Sequence, residues 1–242
     1  MNKIKLSVVV PCYNEHRRFA EGLSHYYSFL KKQNYSWELI FVNDGSSDDT
    51  SELIRAAQKK NPNIKIVDYR NNRGKGYAIS QGIKKAQGQY ILFTDLDHSV
   101  DIKTINEFFK YFENGDQVVI GSRRVKGAKL AVRQKPFREF LGRGFTLLVN
   151  ILIMSGIKDC TCGFKAFENK AAKEIFNKVS IFDWAFDAEI IFICKKKGIH
   201  FAQAPVTWKD ASGSKVRLKK DVIYSFLGLL KIRLNDLKGR YR

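Results

Sequence analysis

The chain is poor in several kinds of residue at once. Of its 242 residues only 4 are Cys, 4 Pro, 4 His and 2 Met. Cys12, Cys160, Cys162 and Cys194 form no disulfide framework, and Cys160-x-Cys162 lacks the second pair that a zinc site needs. Reduced, structural thiols are therefore expected. The scarcity of proline, with no low-complexity stretch or internal repeat, excludes Pro-rich linkers and repeat architectures. No apolar run approaches the roughly 18 residues of a membrane span. The longest, Leu147 to Met154, is interrupted by Asn150. A strand pattern begins almost at the first residue, which leaves no room for a signal peptide. A reduced, cytoplasmic setting follows as an expectation.

Acid is scarce as well: 24 Asp and Glu face 43 Lys and Arg, a net charge of +19. The excess is concentrated. Between Arg123 and Arg143 eight basic residues face a single acid, Glu139, and from Lys209 to Arg242 ten basic residues face three aspartates. Such blocks attract polyanions: nucleic acid, phosphorylated substrates or an anionic membrane face. Solvated lysines of a basic proteome are the plainer account. No recognition helix or RNA-binding aromatic pattern accompanies the charge, so nucleic acid is not expected as a partner.

What is present is a full core and a regular alternation. Hydrophobic residues make up 44% of the chain, too many for a disordered one. Strand patterns are expected at 4–10, 37–42, 64–69, 90–94 and 118–121. Helical patterns fall between them at 19–32, 48–60, 77–86 and 102–112, which predicts a mostly parallel sheet. A basic loop then leads to a helix over 137–154. An irregular and then strand-like stretch, 159–167, is followed by helices at 170–177 and 187–196, a strand over 201–208 and a last helix over 221–237. That helix places Ile223, Phe226, Leu227, Leu230, Leu234 and Leu237 on one face, with Ser225, Gly228, Lys231 and Asn235 away from it. Such a face either closes the core or lies on a bilayer with its basic residues at the headgroups.

Four strand ends carry the chemistry. Asp95-Leu96-Asp97 follows Tyr90 to Thr94. Two hard oxygen ligands at the carboxyl end of a strand suit Mg²⁺ or Mn²⁺ held against nucleotide phosphates. After the first strand comes Pro11-Cys12-Tyr13-Asn14-Glu15, where Pro11 ends the ladder, Tyr13 offers a ring to a base and Glu15 an acceptor. After the second, Asp44 can accept from a base N–H ahead of Gly45 and Ser46-Ser47. After the third, Gly74 permits close backbone approach and Lys75 reaches toward a phosphate. Each loop alone also reads as an ordinary capped turn. His98, a lone histidine in a loop, is more often simply solvated.

Together these residues resemble family 2 glycosyltransferases of the GT-A fold. Residues 8–15 match the opening Val-Val-Val-Pro-x-Tyr-Asn-Glu, residues 44–50 approach Asp-Gly-Ser-x-Asp-x-Thr, and 95–97 supply Asp-x-Asp. Gly121-Ser122-Arg123, Cys162-Gly163-Phe164-Lys165, Trp184-Ala185-Phe186-Asp187 and Gly213-Ser214-Lys215 resemble the polyprenyl-phosphate branch, above all the dolichyl-phosphate β-glucosyltransferases. Ser99 stands where the related mannosyltransferases carry glutamine, and the N-terminal membrane anchor usual in the glucosyltransferases is not expected here.

The resemblance implies an α/β fold: a GT-A, Rossmann-like, mostly parallel sheet flanked by helices, with a C-terminal amphipathic helix. One catalytic domain over 1–242 is expected. A nucleotide-sugar half spans 1–122, an acceptor half 123–220, and the last helix 221–242 is a candidate for membrane association. The implied reaction is inverting transfer of a hexose to dolichyl or undecaprenyl phosphate, with glucose from UDP-glucose favoured. GDP-mannose as donor and a saccharide as acceptor are the alternatives. Asp95 and Asp97 would hold the metal and serve catalysis, Asp159 lies at an active-site acidic position, and Asp187 is either catalytic or a helix cap. Pro11, Tyr13, Glu15, Asp44, Gly74, Lys75, Asp95 and Leu96 would contact the nucleotide sugar. Arg123, Arg138, Lys165, Ser214 and Lys215 would bind phosphate. A lipid monophosphate, already an anion near neutral pH, needs a cationic pocket more than a general base. The expected location is peripheral, on the cytoplasmic face of a membrane.

Overall fold

The computed structural model describes residues 3–132, 136–210 and 218–242, all but residues 138 and 218–223 with their side chains. The first half alternates as its periodicity predicts: β1 (Leu6–Cys12), α1 (His16–Leu30), β2 (Trp37–Asp44), α2 (Thr50–Lys60), β3 (Ile64–Tyr69), α3 (Lys75–Lys85) and β4 (Tyr90–Phe93). A short 3-10 turn, Ile102–Thr104, leads into α4 (Ile105–Glu113) and β5 (Val118–Ser122). The second half contains β6 (Lys129–Val132), α5 (Pro136–Leu152), β7 (Lys165–Glu168), α6 (Asn169–Lys178), α7 (Phe186–Lys197), β8 (Phe201–Pro205), β9 (Thr207–Lys209) and α8 (Leu218–Leu237).

Seven strands form one sheet in the order β3-β2-β1-β4-β7-β5-β8. Every pair is parallel except those made by β7, which runs antiparallel between β4 and β5. β1 and β2 are apolar along almost their whole length because both of their faces are covered. One side carries Val9, Ile40, Ile91 and Phe93 against α3, α6 and α7. The other carries Val8, Leu39, Phe41 and Leu92 against α1, α2 and α4. Chain order reverses between β1 and β4, so the loops after these two strands flank the crevice where open sheets take their ligands.

Two features depart from expectation. Pro11 lies within β1 and does not end it: it pairs with Val42, beyond Val9, where the β4 ladder stops. A missing N–H is tolerated there because one flank has no neighbour. The segment expected to be a basic loop contains β6, and the strand expected over 201–208 divides at Val206. Its second part, β9, leaves the main sheet and pairs with β6 in a separate parallel ribbon. That ribbon is tied to the acidic loop by the Val100–Trp208 bridge and by Lys209 N–H donating to the Ser99 carbonyl at 3.0 Å. Among the described residues no helix is long and apolar enough to cross a membrane.

Candidate active site

The loops after β1 and β2 are laced together. Asn14 takes the left-handed conformation, φ 51°, which asparagine tolerates. Its side-chain oxygen accepts from Ser47 N–H at 2.8 Å, and its own N–H donates to Ser46 Oγ at 2.9 Å. Tyr13 is left partly exposed beside this joint, 39% accessible, as a stacking ring must be. Glu15 is less open than expected. Arg18, one helical turn on, grips both of its oxygens at 2.8 and 2.7 Å.

Asp44 departs further from its expected role. It is buried, and its carboxylate accepts four hydrogen bonds from its own fold. Tyr69 Oη (2.8 Å) and Arg73 N–H (2.9 Å) reach Oδ1; Asn72 Nδ2 (2.9 Å) and Gly74 N–H (2.9 Å) reach Oδ2. Those four use the acceptor capacity of a carboxylate, so Asp44 holds the β3–α3 loop in shape. Gly74 and Gly76 are likewise explained from within: a Cβ on either would come within 2.9 Å of Phe182 backbone atoms. Close approach is required there, but by the protein's own chain.

At the acidic loop the two carboxylates diverge. Lys75 Nζ, projecting from the start of α3, meets Asp95 Oδ1 at 2.5 Å. Burial works against the charge on Lys75, but Asp95 and then Asp187 outweigh it and hold the ammonium above its usual pKa. Asp97 Oδ1 accepts from Ser99 N–H at 3.1 Å and from Ser99 Oγ at 2.9 Å, so Ser99 orients this carboxylate. Leu96 does not face a ligand: it is 4% exposed and lies against Gly22 of α1. It pins the loop while its neighbours turn outward. Tyr26 Oη, donating to the Asp95 carbonyl, is a second pin.

Gly163 closes the other wall. A Cβ there would stand 2.1 Å from Asp95 Oδ2 and 3.0 Å from its Cγ. Gly163→Ala therefore forces Asp95 off its position while leaving the core intact. Activity is expected to fall by about 10²-fold, the usual effect of a displacement near 1 Å at a reacting centre, with the melting midpoint nearly unchanged. Steady-state rates beside a thermal melt check this, and normal turnover would refute the placement of Asp95.

Asp159 is no general base. It is fully buried, and Arg123 grips it with Nε to Oδ2 at 2.6 Å, Nη2 to Oδ1 at 2.8 Å and the backbone N–H at 3.0 Å. Burial alone would raise the Asp159 pKa, but the guanidinium reverses the sign and holds it below the usual carboxylate range. Arg123 also donates to Thr161 Oγ1 at 2.9 Å and lies 5.5 Å from the Trp208 ring centroid. The fork is thus fixed between a carboxylate, a hydroxyl and an indole. A cavity of about 80 Å³ is walled by Asp95, Asp97, Ser99, Arg123, Thr161 and Trp208. Beyond the same Arg123 and Trp208 opens a cleft of about 350 Å³, completed by Arg124, Leu130, Glu139 and Arg143.

Lys165 and Asp187 do not enter either space. Lys165 is fully buried, with Nζ donating to Asp187 Oδ1 and to the Cys162 carbonyl, both at 2.6 Å. It neutralises Asp187 from behind the site and is not a phosphate ligand. Burial raises the pKa of Asp187 in spite of Lys165 and Lys75. The backbone of Arg138 belongs to α5 while its side chain lies outside the described residues, as do Ser214 and Lys215. Four groups at or beside the site were not singled out from sequence: Arg18, Arg124, Thr161 and Trp208. Arg18 carried a local signal in its i,i+3 spacing from Glu15, and Arg124 belonged to the basic block of residues 123–143.

The residues present fit a divalent ion. Asp95 and Asp97 supply hard oxygens on one wall of a small cleft, and Asp95 already draws a cation in Lys75. Among the described residues no group of three or more His, Cys, Asp or Glu stands ready to hold a metal.

Comparison with known proteins agrees with this architecture. The model of the family described as glycosyl transferase family 2 matches residues 7–176. A dolichyl-phosphate beta-glucosyltransferase of Dictyostelium discoideum is 34% identical over 254 residues, covering 100% of this chain and 78% of its relative. Those of Saccharomyces cerevisiae and Homo sapiens are 34% and 33% identical, over 99% and 98% of this chain and 77% and 78% of theirs. Among solved structures, glucosyl-3-phosphoglycerate synthase from Mycobacterium tuberculosis, in complex with Mn²⁺, UDP and glucosyl-3-phosphoglycerate, superposes with a TM-score of 0.67. It is 17% identical, over 95% of this chain and 80% of that one. The likeness extends the GT-A architecture across nearly the whole molecule.

Proposed function

Since the chain belongs to glycosyl transferase family 2, we propose that it moves glucose from UDP-glucose to a polyprenyl phosphate of the dolichyl type, with inversion at the anomeric carbon. The observation that carries this reading is the engagement of the carboxylates. Asp95 is paired with Lys75, Asp97 with Ser99 and Asp159 with Arg123, while Asp187 is paired with Lys165 behind the cavity. A saccharide hydroxyl would need one of them as a base. A lipid monophosphate needs none, since it arrives ionised and requires a fixed cation to hold it in line.

Each residue then has a task. Tyr13 gives a base a face to stack on, and Asp44 maintains the loop beneath it. Lys75, released from Asp95, would meet the donor diphosphate. Arg123, immobilised by Asp159, receives the acceptor phosphate at the junction of cavity and cleft, and Arg124 and Arg143 extend the cationic wall. Asp95 and Asp97 would hold Mg²⁺ or Mn²⁺, which when bound neutralises charge on the leaving diphosphate. GDP-mannose is the second donor worth testing, because a partly exposed ring such as Tyr13 offers a stacking face to any base. Peripheral association with an anionic membrane, where such an acceptor resides, belongs to the same reading.

The test is direct. The protein, Mg²⁺ or Mn²⁺, a panel of labelled nucleotide sugars and dolichyl phosphate are incubated and the lipid extracted. Label should enter the lipid phase from UDP-glucose. Label from GDP-mannose alone would replace the donor. No label from any donor, with transfer to a free saccharide, would replace the acceptor.

A further inference from the structure

The sequence leaves the last helix free to turn its apolar face to the core or to a bilayer, and in the structure that face turns outward. α8 is seated by a narrower stripe: Leu229 and Ile232 are fully buried, and Gly228 packs on Ala185 so tightly that a Cβ would come within 2.3 Å. Asn235 donates to Ser180 Oγ at 3.1 Å, and Lys196 pairs with Asp236 at 2.9 Å. Phe226, Leu227, Leu230, Leu234 and Leu237 are left outside, 39–80% exposed. Ile223 lies outside the described side chains.

α5 packs beside α8 and repeats the arrangement. Val149 is fully buried, and Phe137, Phe140, Leu147 and Ile151 stand 60–70% exposed, at the 3–4–7 spacing of one helix face. Ten of the fourteen large hydrophobic side chains exposed among the described residues lie on these two helices. Scattered apolar residues are ordinary on a surface; a concentration on one pair of adjacent helices marks a docking face.

We propose that α5 and α8 together form one face that seats the protein on an anionic bilayer, holding the cleft of Arg123, Arg124 and Arg143 at the level of the lipid phosphates. Charge selects this occupant. Lys231, Arg233, Lys238 and Arg240 are exposed along and just beyond α8, and Arg143 is exposed on α5. Cations beside an apolar face match anionic headgroups above a hydrocarbon layer. A second copy carrying the same net charge of +19 would be repelled at the same surface. Continuity with the cleft supports the same occupant. Glu139 and Arg143, which line the cleft, are on the helix that exposes Phe137 and Phe140. A lipid acceptor could leave its tail in the bilayer and lift only its phosphate past Arg143 to Arg123. The inference rests on the lipid-phosphate reading for its purpose, but the face can be tested apart from it.

The full chain is floated with phosphatidylcholine vesicles, with and without phosphatidylserine. It should rise with the anionic vesicles at low salt and much less at high salt. Phe140→Gln/Ile151→Gln on α5 and Leu230→Gln/Leu234→Gln on α8 replace exposed side chains and should melt with the parent. Each pair should lower the bound fraction by about tenfold or more, since each removes two apolar groups from the contact. Transfer to long-chain polyprenyl phosphate in vesicles should fall in parallel, while transfer to soluble farnesyl phosphate stays at the parental rate. Flotation unchanged by either pair would overturn the two-helix face. So would a parental dimer that both pairs convert to monomer in light scattering. Flotation that responds to both pairs without transfer to any acceptor would uphold the face and sink the reaction instead.

Discussion

Asp97→Asn is expected to reduce transfer by about 10²–10³-fold, the scale of losing one electrostatic contact at a reacting centre. The melting midpoint should stay within about 2 °C of the parent. The two halves of this prediction have separate physical grounds. Asp97 is part-exposed at the cavity wall, and its local structural duty is to accept two hydrogen bonds from Ser99 through Oδ1. Asparagine keeps a carbonyl oxygen at that place, so the turn into Val100 survives. What disappears is the negative charge and the second oxygen, which are what a divalent ion would bind. A variant with parental turnover would remove Asp97 from the site. A variant that melts far below the parent would show that the loop, and not the chemistry, depends on its charge. Titration of Mn²⁺ in the presence of UDP, followed by electron paramagnetic resonance, separates loss of metal from loss of positioning.

Much of this was legible in sequence where a single strand end sufficed. Tyr90 to Phe93 is too apolar to be anything but a buried strand, so Asp95 and Asp97 had to emerge at its carboxyl end. The expected strand over 64–69 and β3 agree residue for residue, because Asn61-Pro62-Asn63 and Arg70-Asn71-Asn72 punctuate both ends. Partnership between distant segments was not legible. A carboxylate at a strand end looks the same whether it faces a base, as expected of Asp44, or four donors from residues 69–74. Lys165 and Arg123 are both basic residues beside strands, yet one is buried under Asp187 and the other walls the cavity. Their difference is decided by which neighbours the antiparallel β7 brings together, and its pairing with strands far away in the chain, β4 and β5, leaves no local periodicity. The last helix shows a further limit. A helical pattern says which residues share a face and not which face turns inward. Here Gly228, small enough to let α8 approach Ala185, settled that question against the wider apolar stripe.

Asp159 is the residue whose loss should most destabilise the fold. Asp159→Ala strands the largely buried Arg123 guanidinium without its partner, and removal of one member of a buried pair typically costs about 3–5 kcal/mol. Replacing both members removes the stranded charge: Arg123→Met/Asp159→Leu should regain most of that stability, since apolar substitutes for a buried pair are often neutral or better. Its transfer activity should nevertheless be lost, because Met presents no donor to a phosphate. The same pair fixes a pH signature. Asp159 titrates below its unfolded value, so its contribution to stability is complete above about pH 4 and is lost as pH falls through the lowered native pKa. The double variant, lacking that group, should show a shallower acid limb in midpoint against pH. Arg123→Lys keeps the charge but not the fork that joins Asp159 to Thr161, and should fall well short of parental activity at a stability between the two. A stable and active double variant would mean that the pair only holds the β5 loop and that the acceptor phosphate is met elsewhere, with Arg124 and Arg143 the next residues to replace.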